Sequence, residues 1–153
     1  AIILIIAAIS IPNLLRSRIA ANEASATSSL RSVSTAEITY ASTYNSGFTS
    51  NLNQLGAPLT AGAQPDVSNA DLTDPVLAAR STGGGTNTFV KSGYTFTYTP
   101  TGNNVTYGFI AQYNINADPQ ARGSSGQRSF YSSESAVIRA NATAVAGISD
   151  TPI

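Results

Sequence analysis

The sequence predicts an α+β protein in which a long N-terminal helix, with a projecting apolar half, packs on a four-stranded antiparallel β-sheet. Residues 1–46 contain no glycine and a single proline. Apolar residues in the second half of that segment recur every three to four positions, as on a helix with one packed face. From Gly93 onward apolar and polar residues alternate, as in half-buried strands. We therefore predict a projecting helix at residues 1–22 and a globular head at residues 23–153.

The projecting half of the helix is apolar on all sides. A helix of 44 residues spans about 66 Å, twice the width of a head of this size, so half of it must extend beyond the head. An all-round apolar helix must be surrounded, by lipid or by protein. We expect Pro12 to disrupt the helix near residues 8–12, because proline removes a backbone hydrogen bond. The residues predicted to mediate burial are Ile2, Ile3, Leu4, Ile5, Ile6, Ile9, Ile11, Pro12, Leu14, Leu15 and Ile19.

The second half of the helix, residues 23–46, is amphipathic, and "YNSG" ends it at Gly47. We place Arg31, Ser34 and Glu37 off its apolar stripe or at the edge of it. The stripe is formed by Ala26, Leu30, Val33, Ala36, Tyr40 and Tyr44.

The rest of the head divides into three segments. In the αβ-loop, residues 47–92, we expect a helical turn in "SGFTSNLNQLGAP" and a short helix capped by Asp74. The glycine-rich "STGGGTN" is interpreted as a flexible loop. No lysine follows it as in a phosphate-binding loop, so it is not interpreted as one. In the sheet, residues 93–141, "PTGNN" is predicted to turn one hairpin, and "RSFYS" and "AVIRAN" to form a second. Residues 142–153 form a C-terminal tail.

Composition excludes much chemistry. The chain has no cysteine and no histidine, so thiolate or imidazole metal sites and nucleophiles are excluded. Its net charge is +0 and Lys91 is its single lysine, so we predict no nucleic-acid partner for the isolated subunit. We predict no cofactor, no metal and no enzymatic activity. The eight aromatic residues of the strands are interpreted as core rather than as a conducting path. The carboxylates Asp66, Asp71, Asp74 and Glu134 are interpreted as caps and solvated groups rather than a calcium site.

Several polar residues are candidate contacts or modification sites. Arg16 and Arg18, with Glu23, could meet lipid head groups or a neighbouring subunit, although two solvated arginines are an equal alternative. Asn104 in "NVT" and Asn141 in "NAT" match the N-glycosylation pattern.

The segment "AAISIPNLLRSRIAANEASATSSLRSVSTAEITYASTY" resembles the N-terminal region of type IV pilins and pseudopilins over residues 1 to 44. The strand-rich C-terminal segment is more loosely similar to cysteine-free pilin-like proteins. The resemblance implies a pilin-type fold and a major pilin that polymerises with identical subunits into an extracellular filament on the cell surface. It also implies a precursor pool in the inner membrane and extraction by a pilus assembly machinery.

The same resemblance implies about ten residues before Ala1, among them a methylated aromatic start and a glutamate, which would bring the apolar stretch near the roughly 20 residues that span a bilayer. The family often has glycine where this sequence has Leu4. Two alternatives stay open: a pseudopilin of a type II secretion system, and a membrane-anchored binding module or enzyme that uses residues 47–92 as its site. A signal-peptide core is a weaker interpretation, since the helical pattern continues for thirty residues. A helix buried in one soluble domain is also weaker, since a helix of this length leaves too little chain to surround it.

Overall fold

The computed structural model describes residues 2–80, 87–104 and 109–153, with the side chains of all of these except residues 2, 4, 5, 7–11, 103 and 104. The chain begins with helix α1, Ile2–Tyr44, and continues with a short 3₁₀ helix, Leu52–Leu55. The described strands are β1 (Thr88–Lys91), β2 (Tyr94–Asn104), β3 (Phe109–Pro119), β4 (Ser129–Ser133), β5 (Arg139–Asn141) and β6 (Thr151–Pro152). They form one antiparallel sheet in which each strand pairs with the next in the chain.

The prediction of a four-stranded sheet of pilin type is wrong, because the sheet of the described residues has six strands. The two additional strands are the outer ones. β1 lies within the predicted αβ-loop and is only four residues long, too short for a strand period to stand out. β6 is two residues long and contains Pro152. The arrangement of one long helix beside an antiparallel sheet remains α+β.

The predicted turn at "PTGNN" is also wrong, because β2 continues through it to Asn104, and Pro100 pairs with Tyr113 of β3. A proline lacks the N–H that a ladder needs, so it is tolerated where that N–H would have no strand to meet. The N–H of Tyr98, two residues earlier, points toward the β1 side and donates to the carbonyl of Asn87 at 2.8 Å. The N–H that Pro100 lacks would point to the same side, beyond the pairing of β1 with β2, which ends at Thr88.

Helix α1 is continuous through Pro12, so the disruption expected near residues 8–12 is not observed. Proline removes one N–H, but its fixed φ is itself close to the helical value, and the helix of 43 residues continues on both sides of it. Within the described residues, no helix has the combination of length and hydropathy required to cross a bilayer.

Part of the local structure predicted for the αβ-loop is observed. The 3₁₀ helix Leu52–Leu55 is the predicted helical turn in "SGFTSNLNQLGAP". The Asp74 carboxylate accepts the N–H groups of Val76 at 2.8 Å and Leu77 at 3.0 Å, so the predicted cap is confirmed, although it caps turns rather than a helix. The Arg80 guanidinium donates to the carbonyl of Ala57 and, at 2.6 Å, to the side chain of Asn69, which folds the loop back on itself. "STGGGTN" up to residue 86 lies outside the described residues.

The apolar stripe of α1 forms one side of the core, as predicted. Its side chains Ala26, Leu30, Val33, Ala36 and Tyr40 are at most 4% exposed, and Tyr44 is half-buried against them. The sheet supplies the other side, and there Phe89 and Phe96 stack with ring centroids 4.4 Å apart. The predicted aromatic core is therefore confirmed for its buried members, Tyr94, Phe96, Tyr98, Tyr113 and Phe130.

Replacing Leu30 with alanine tests this packing. Leu30 is fully buried, so Leu30→Ala should lower the free energy of unfolding by about 2 to 5 kcal/mol through lost apolar contact and a cavity. Tyrosine fluorescence can follow urea unfolding of the full chain in detergent, since the sequence has seven tyrosines and no tryptophan. Ile38→Ala is the matched control, because Ile38 lies on the same helix but is 49% exposed. Equal unfolding midpoints for the two variants would contradict this account of the core.

Candidate functional site

The N-terminal half of α1 exposes large apolar side chains. Ile3 is 83% exposed, Ile6 and Leu14 are 59% exposed, and Leu15 is 43% exposed. Pro12, Arg16 and Arg18 are also exposed, whereas Ile19 is half-buried. The remaining predicted assembly residues, Ile2, Leu4, Ile5, Ile9 and Ile11, lie outside the side chains that the structure describes.

The attachment of the helix to the head begins at Asn22. Its side-chain amide donates to the carbonyl of Ser125 at 2.7 Å. One turn further along, the hydroxyls of Ser25 and Ser92 lie 2.9 Å apart and share a hydrogen bond. Within the described part of the chain, no side-chain hydrogen bond joins residues before Asn22 to the head.

Glu23 anchors the helix to the loop before β4. Its Oε1 accepts the backbone N–H groups of Gln127 and Arg128, both at 3.0 Å. Its Oε2 accepts the Arg128 guanidinium twice, from Nε at 2.9 Å and from Nη2 at 2.8 Å. The glutamate is 8% exposed, whereas the Arg128 side chain is 44% exposed and lies over the Phe130 ring, 5.4 Å from its centroid.

The charge of Glu23 is retained although the group is largely buried. Burial alone would raise its pKa, but the hydrogen bonds from Arg128 and Gln127 and the charge of Arg128 outweigh this effect and lower it. The sequence predicts Glu23 as a subunit or head-group contact, whereas the structure places it against the chain's own Arg128. Its spacing of three residues before Ala26 puts it on the buried stripe, and this is the sequence signal for an internal role.

The loop that receives Glu23 is itself held in place. The Arg122 guanidinium donates to the carbonyl of Gln127 at 2.6 Å, to the Ser129 hydroxyl at 2.8 Å and to the carbonyl of Ala142 at 3.0 Å. Gly126 lies where a Cβ would overlap the Tyr94 hydroxyl, so a side chain there would displace the loop. The anchor of α1 is thus braced by the sheet and by the C-terminal tail.

Glu37 is the second residue that attaches the helix to the head, and sequence reasoning misses it. The sequence places it at the edge of the apolar stripe, but its side chain is fully buried. Its Oε2 accepts the N–H of Thr49 at 2.9 Å, and its Oε1 accepts the Thr49 hydroxyl at 2.5 Å. The Tyr98 hydroxyl lies 3.2 Å from Thr49 Oγ1 and donates to the carbonyl of Thr49 at 2.8 Å. This network joins α1, the start of the αβ-loop and β2.

No cation faces Glu37 in the described part of the chain. Burial raises its pKa, and the hydrogen bonds from Thr49 and Tyr98 offset that effect only in part. Protonated Glu37 also fits the network, because Thr49 Oγ1 can accept from the acid and donate to Tyr98 instead. Burial likewise raises the pKa of Tyr113 to about 12 and that of Tyr98 further, so both hydroxyls remain protonated near Glu37.

The other candidate residues whose side chains are described make contacts within their own part of the head. The Asp66 carboxylate accepts the N–H groups of Ser68 and Asn69, both at 2.8 Å, and Asp74 lies 3.9 Å from Lys91. Among the described residues, no three carboxylates converge on a point where they could bind a metal ion. The Asn141 side chain donates to Asp150 at 2.9 Å and accepts from the N–H of Thr143 at 3.0 Å, so its amide holds the start of the tail. The side chain of Asn104 lies outside those described.

Comparison of the chain with protein-family models, with curated proteins and with solved structures found no match.

The Glu23 anchor predicts a loss of stability at low pH. A carboxylate with a lowered pKa contributes stability above its unfolded pKa, and this is lost as the pH falls through the folded value. Glu23→Gln should lower the free energy of unfolding at pH 7 by about 1.5 to 3 kcal/mol, the range for hydrogen bonds to charged groups. The difference from the unaltered chain should shrink below pH 4, and urea titrations at several pH values would measure it. A difference independent of pH would contradict the charged anchor.

Glu37 predicts the opposite pH dependence. The folded chain binds its proton more tightly than the unfolded chain, so its contribution is fully present below the unfolded pKa and is lost as the pH rises through the folded pKa. Glu37→Gln should reduce this loss, since glutamine can accept from the Thr49 N–H and donate to its hydroxyl. The same titrations serve as the measurement. If Glu37→Gln and the unaltered chain lost stability in parallel as the pH rises above 4.5, the ordinary value for this group, Glu37 would not be the titrating group.

Proposed function

We propose that this chain is a structural subunit of an extracellular type IV pilus-like filament and that it polymerises through the N-terminal half of α1. The observation that carries the proposal is the exposure of Ile3, Ile6, Leu14 and Leu15 on a helix whose other half is firmly packed. Full burial of one such side chain contributes about 1.5 to 3 kcal/mol, so even half-burial of the four supplies of order 5 kcal/mol per subunit.

In the proposed assembly, the apolar half of α1 moves from lipid to protein without passing through water. Lipid tails and neighbouring helices are about equally apolar, so the exchange has no large hydrophobic cost. The precursor pool would lie in the inner membrane, and a pilus assembly machinery would extract each subunit. The partners are therefore identical subunits in the filament and lipid before assembly.

The rigid attachment of the helix supports a structural role. Asn22 and Glu23 attach the helix where it first meets the head, and Glu37 attaches it nearer the C-terminal end of the helix. Two attachments on one helix prevent the head from swinging about it. A filament needs such rigidity, because the angle between helix and head sets the position of every following subunit.

A charged residue in the exposed apolar half tests the proposal. Leu14→Asp and Ile6→Asp should abolish filaments while leaving the head folded, because a carboxylate can be buried in neither lipid nor an apolar interface at low cost. Electron microscopy of sheared cell-surface material would count the filaments. Circular dichroism and urea unfolding of the detergent-purified full chain would check the fold.

Leu59→Asp is the matched control for Leu14→Asp. Leu59 is 85% exposed but lies in the αβ-loop, away from the helix, so its replacement should leave filament numbers near those of the unaltered chain. Abundant normal filaments from Leu14→Asp and Ile6→Asp would overturn the proposed function.

A further inference from the structure

A cavity of about 200 Å³ opens beside the C-terminal end of α1, at the end of the head opposite the projecting helix. Its apolar wall is formed by Phe48, Val67 and Ile110. Polar side chains from Ser46, Ser50 and Gln54 line the remainder. Tyr40 closes the inner side, where its hydroxyl donates to the carbonyl of Val67 at 2.7 Å and so holds the wall in place.

A negative charge lies next to this cavity. Asp66 precedes the cavity residue Val67, is exposed, and belongs to no ion pair of the described residues. It is close enough to the cavity for its charge to be among the causes, after burial, that raise the pKa of Tyr40. Its carboxylate is held by the N–H groups of Ser68 and Asn69. An apolar group followed by a cation would therefore complement this end of the head.

The projecting half of α1 presents such a group. Leu14 and Leu15 are exposed, and Arg18 lies one helical turn beyond them. At 100° per residue Arg18 falls between the two leucines around the helix, so the three side chains share one face. Arg16 points to the opposite side of the helix by the same geometry.

Within one copy these two surfaces do not meet. Leu15 and Tyr40 belong to one continuous helix and are separated by 25 residues, or about 38 Å along its axis. Any contact between the leucine face and the cavity therefore joins two copies of the chain.

We infer that the face formed by Leu14, Leu15 and Arg18 of one copy docks at the cavity of a second copy, with a leucine entering between Phe48, Val67 and Ile110 and with Arg18 facing Asp66. The inference rests on the proposed function and names the surface that receives the helix. The two halves of the contact are different surfaces, so the contact is heterologous. Each docked copy offers a new cavity and a new helix, so the contact can repeat without limit, as an open filament requires.

Engineered cysteines test this pairing, because the chain has no cysteine of its own. A disulfide forms only where two Cα atoms come within about 7 Å. Filaments of the double variant Leu15→Cys with Val67→Cys, after mild oxidation, should give a ladder of linked subunits on a non-reducing gel. Co-expressed single variants should stop at linked dimers, because each then carries one half of the contact. The Leu15→Cys variant alone should give no dimer.

The matched control is Leu15→Cys with Val145→Cys, which places the second cysteine at a 63% exposed position of the C-terminal tail. We expect at least tenfold less ladder from this control. An equal ladder from the control, a dimer from Leu15→Cys alone, or normal filaments of the test variant without a ladder would each overturn the inference and leave the proposed function standing. Absence of filaments from the unaltered chain would overturn both.

Charge reversal tests the ionic half of the contact in the same cysteine background. Asp66→Arg and Arg18→Asp should each lower the ladder yield several-fold, and the double reversal should restore it. A structural defect at Asp66 would not be rescued by a change at Arg18, so lack of rescue would overturn the pairing of these two residues.

Discussion

The packing of one face of α1 on the sheet is the contact on which the rest of the structure depends. Leu30 and Val33 are fully buried there, and they belong to one hydrophobic cluster with Phe96 and Ile115 of the sheet. Because α1 is a single helix from Ile2 to Tyr44, the contact that fixes its second half also fixes the direction of its first half. The packing of the second half of the helix therefore sets the direction in which the exposed leucines of the first half project from the head.

Two glutamates secure that packing by opposite electrostatic means. Glu23 lies near the rim of the contact, where Arg128 can reach it from the solvent side and keep it charged. Glu37 lies about 21 Å further along the helix, beyond the reach of any described cation, and depends on Thr49 and Tyr98. When Glu37 is ionised, its buried charge has no described cation beside it and reduces stability. Its hydrogen bonds nevertheless define where the chain must turn after the helix. The first glutamate thus contributes stability near neutral pH, and the second fixes a conformation.

The helix and its buried stripe could be predicted from the sequence because apolar residues spaced every three to four positions over twenty residues fit a helix and do not fit a strand. The same reasoning misses Glu37, since a charged residue is usually assigned to the solvent face and the partners that satisfy it, Thr49 and Tyr98, are distant in sequence. It misses β1 and β6 because short outer strands are defined by the strand that they pair with. The cavity could not be predicted at all, because its walls come from three separate parts of the chain, around Phe48, Val67 and Ile110.

The position of the cavity argues against a two-fold dimer, because such a dimer would not cover both of the surfaces that this chain exposes. Symmetric pairing of two projecting helices would cover the leucines of both copies, yet it would leave the apolar wall uncovered and Asp66 without an ionic partner at the far end of each head. Head-to-tail contact covers both surfaces with one interface. The continuous helix is compatible with this contact, because it carries the leucine face away from its own head. In the proposed filament, the length of helix between Leu15 and Tyr40, about 38 Å, and the angle at which each helix leaves its head would together set the spacing between successive subunits.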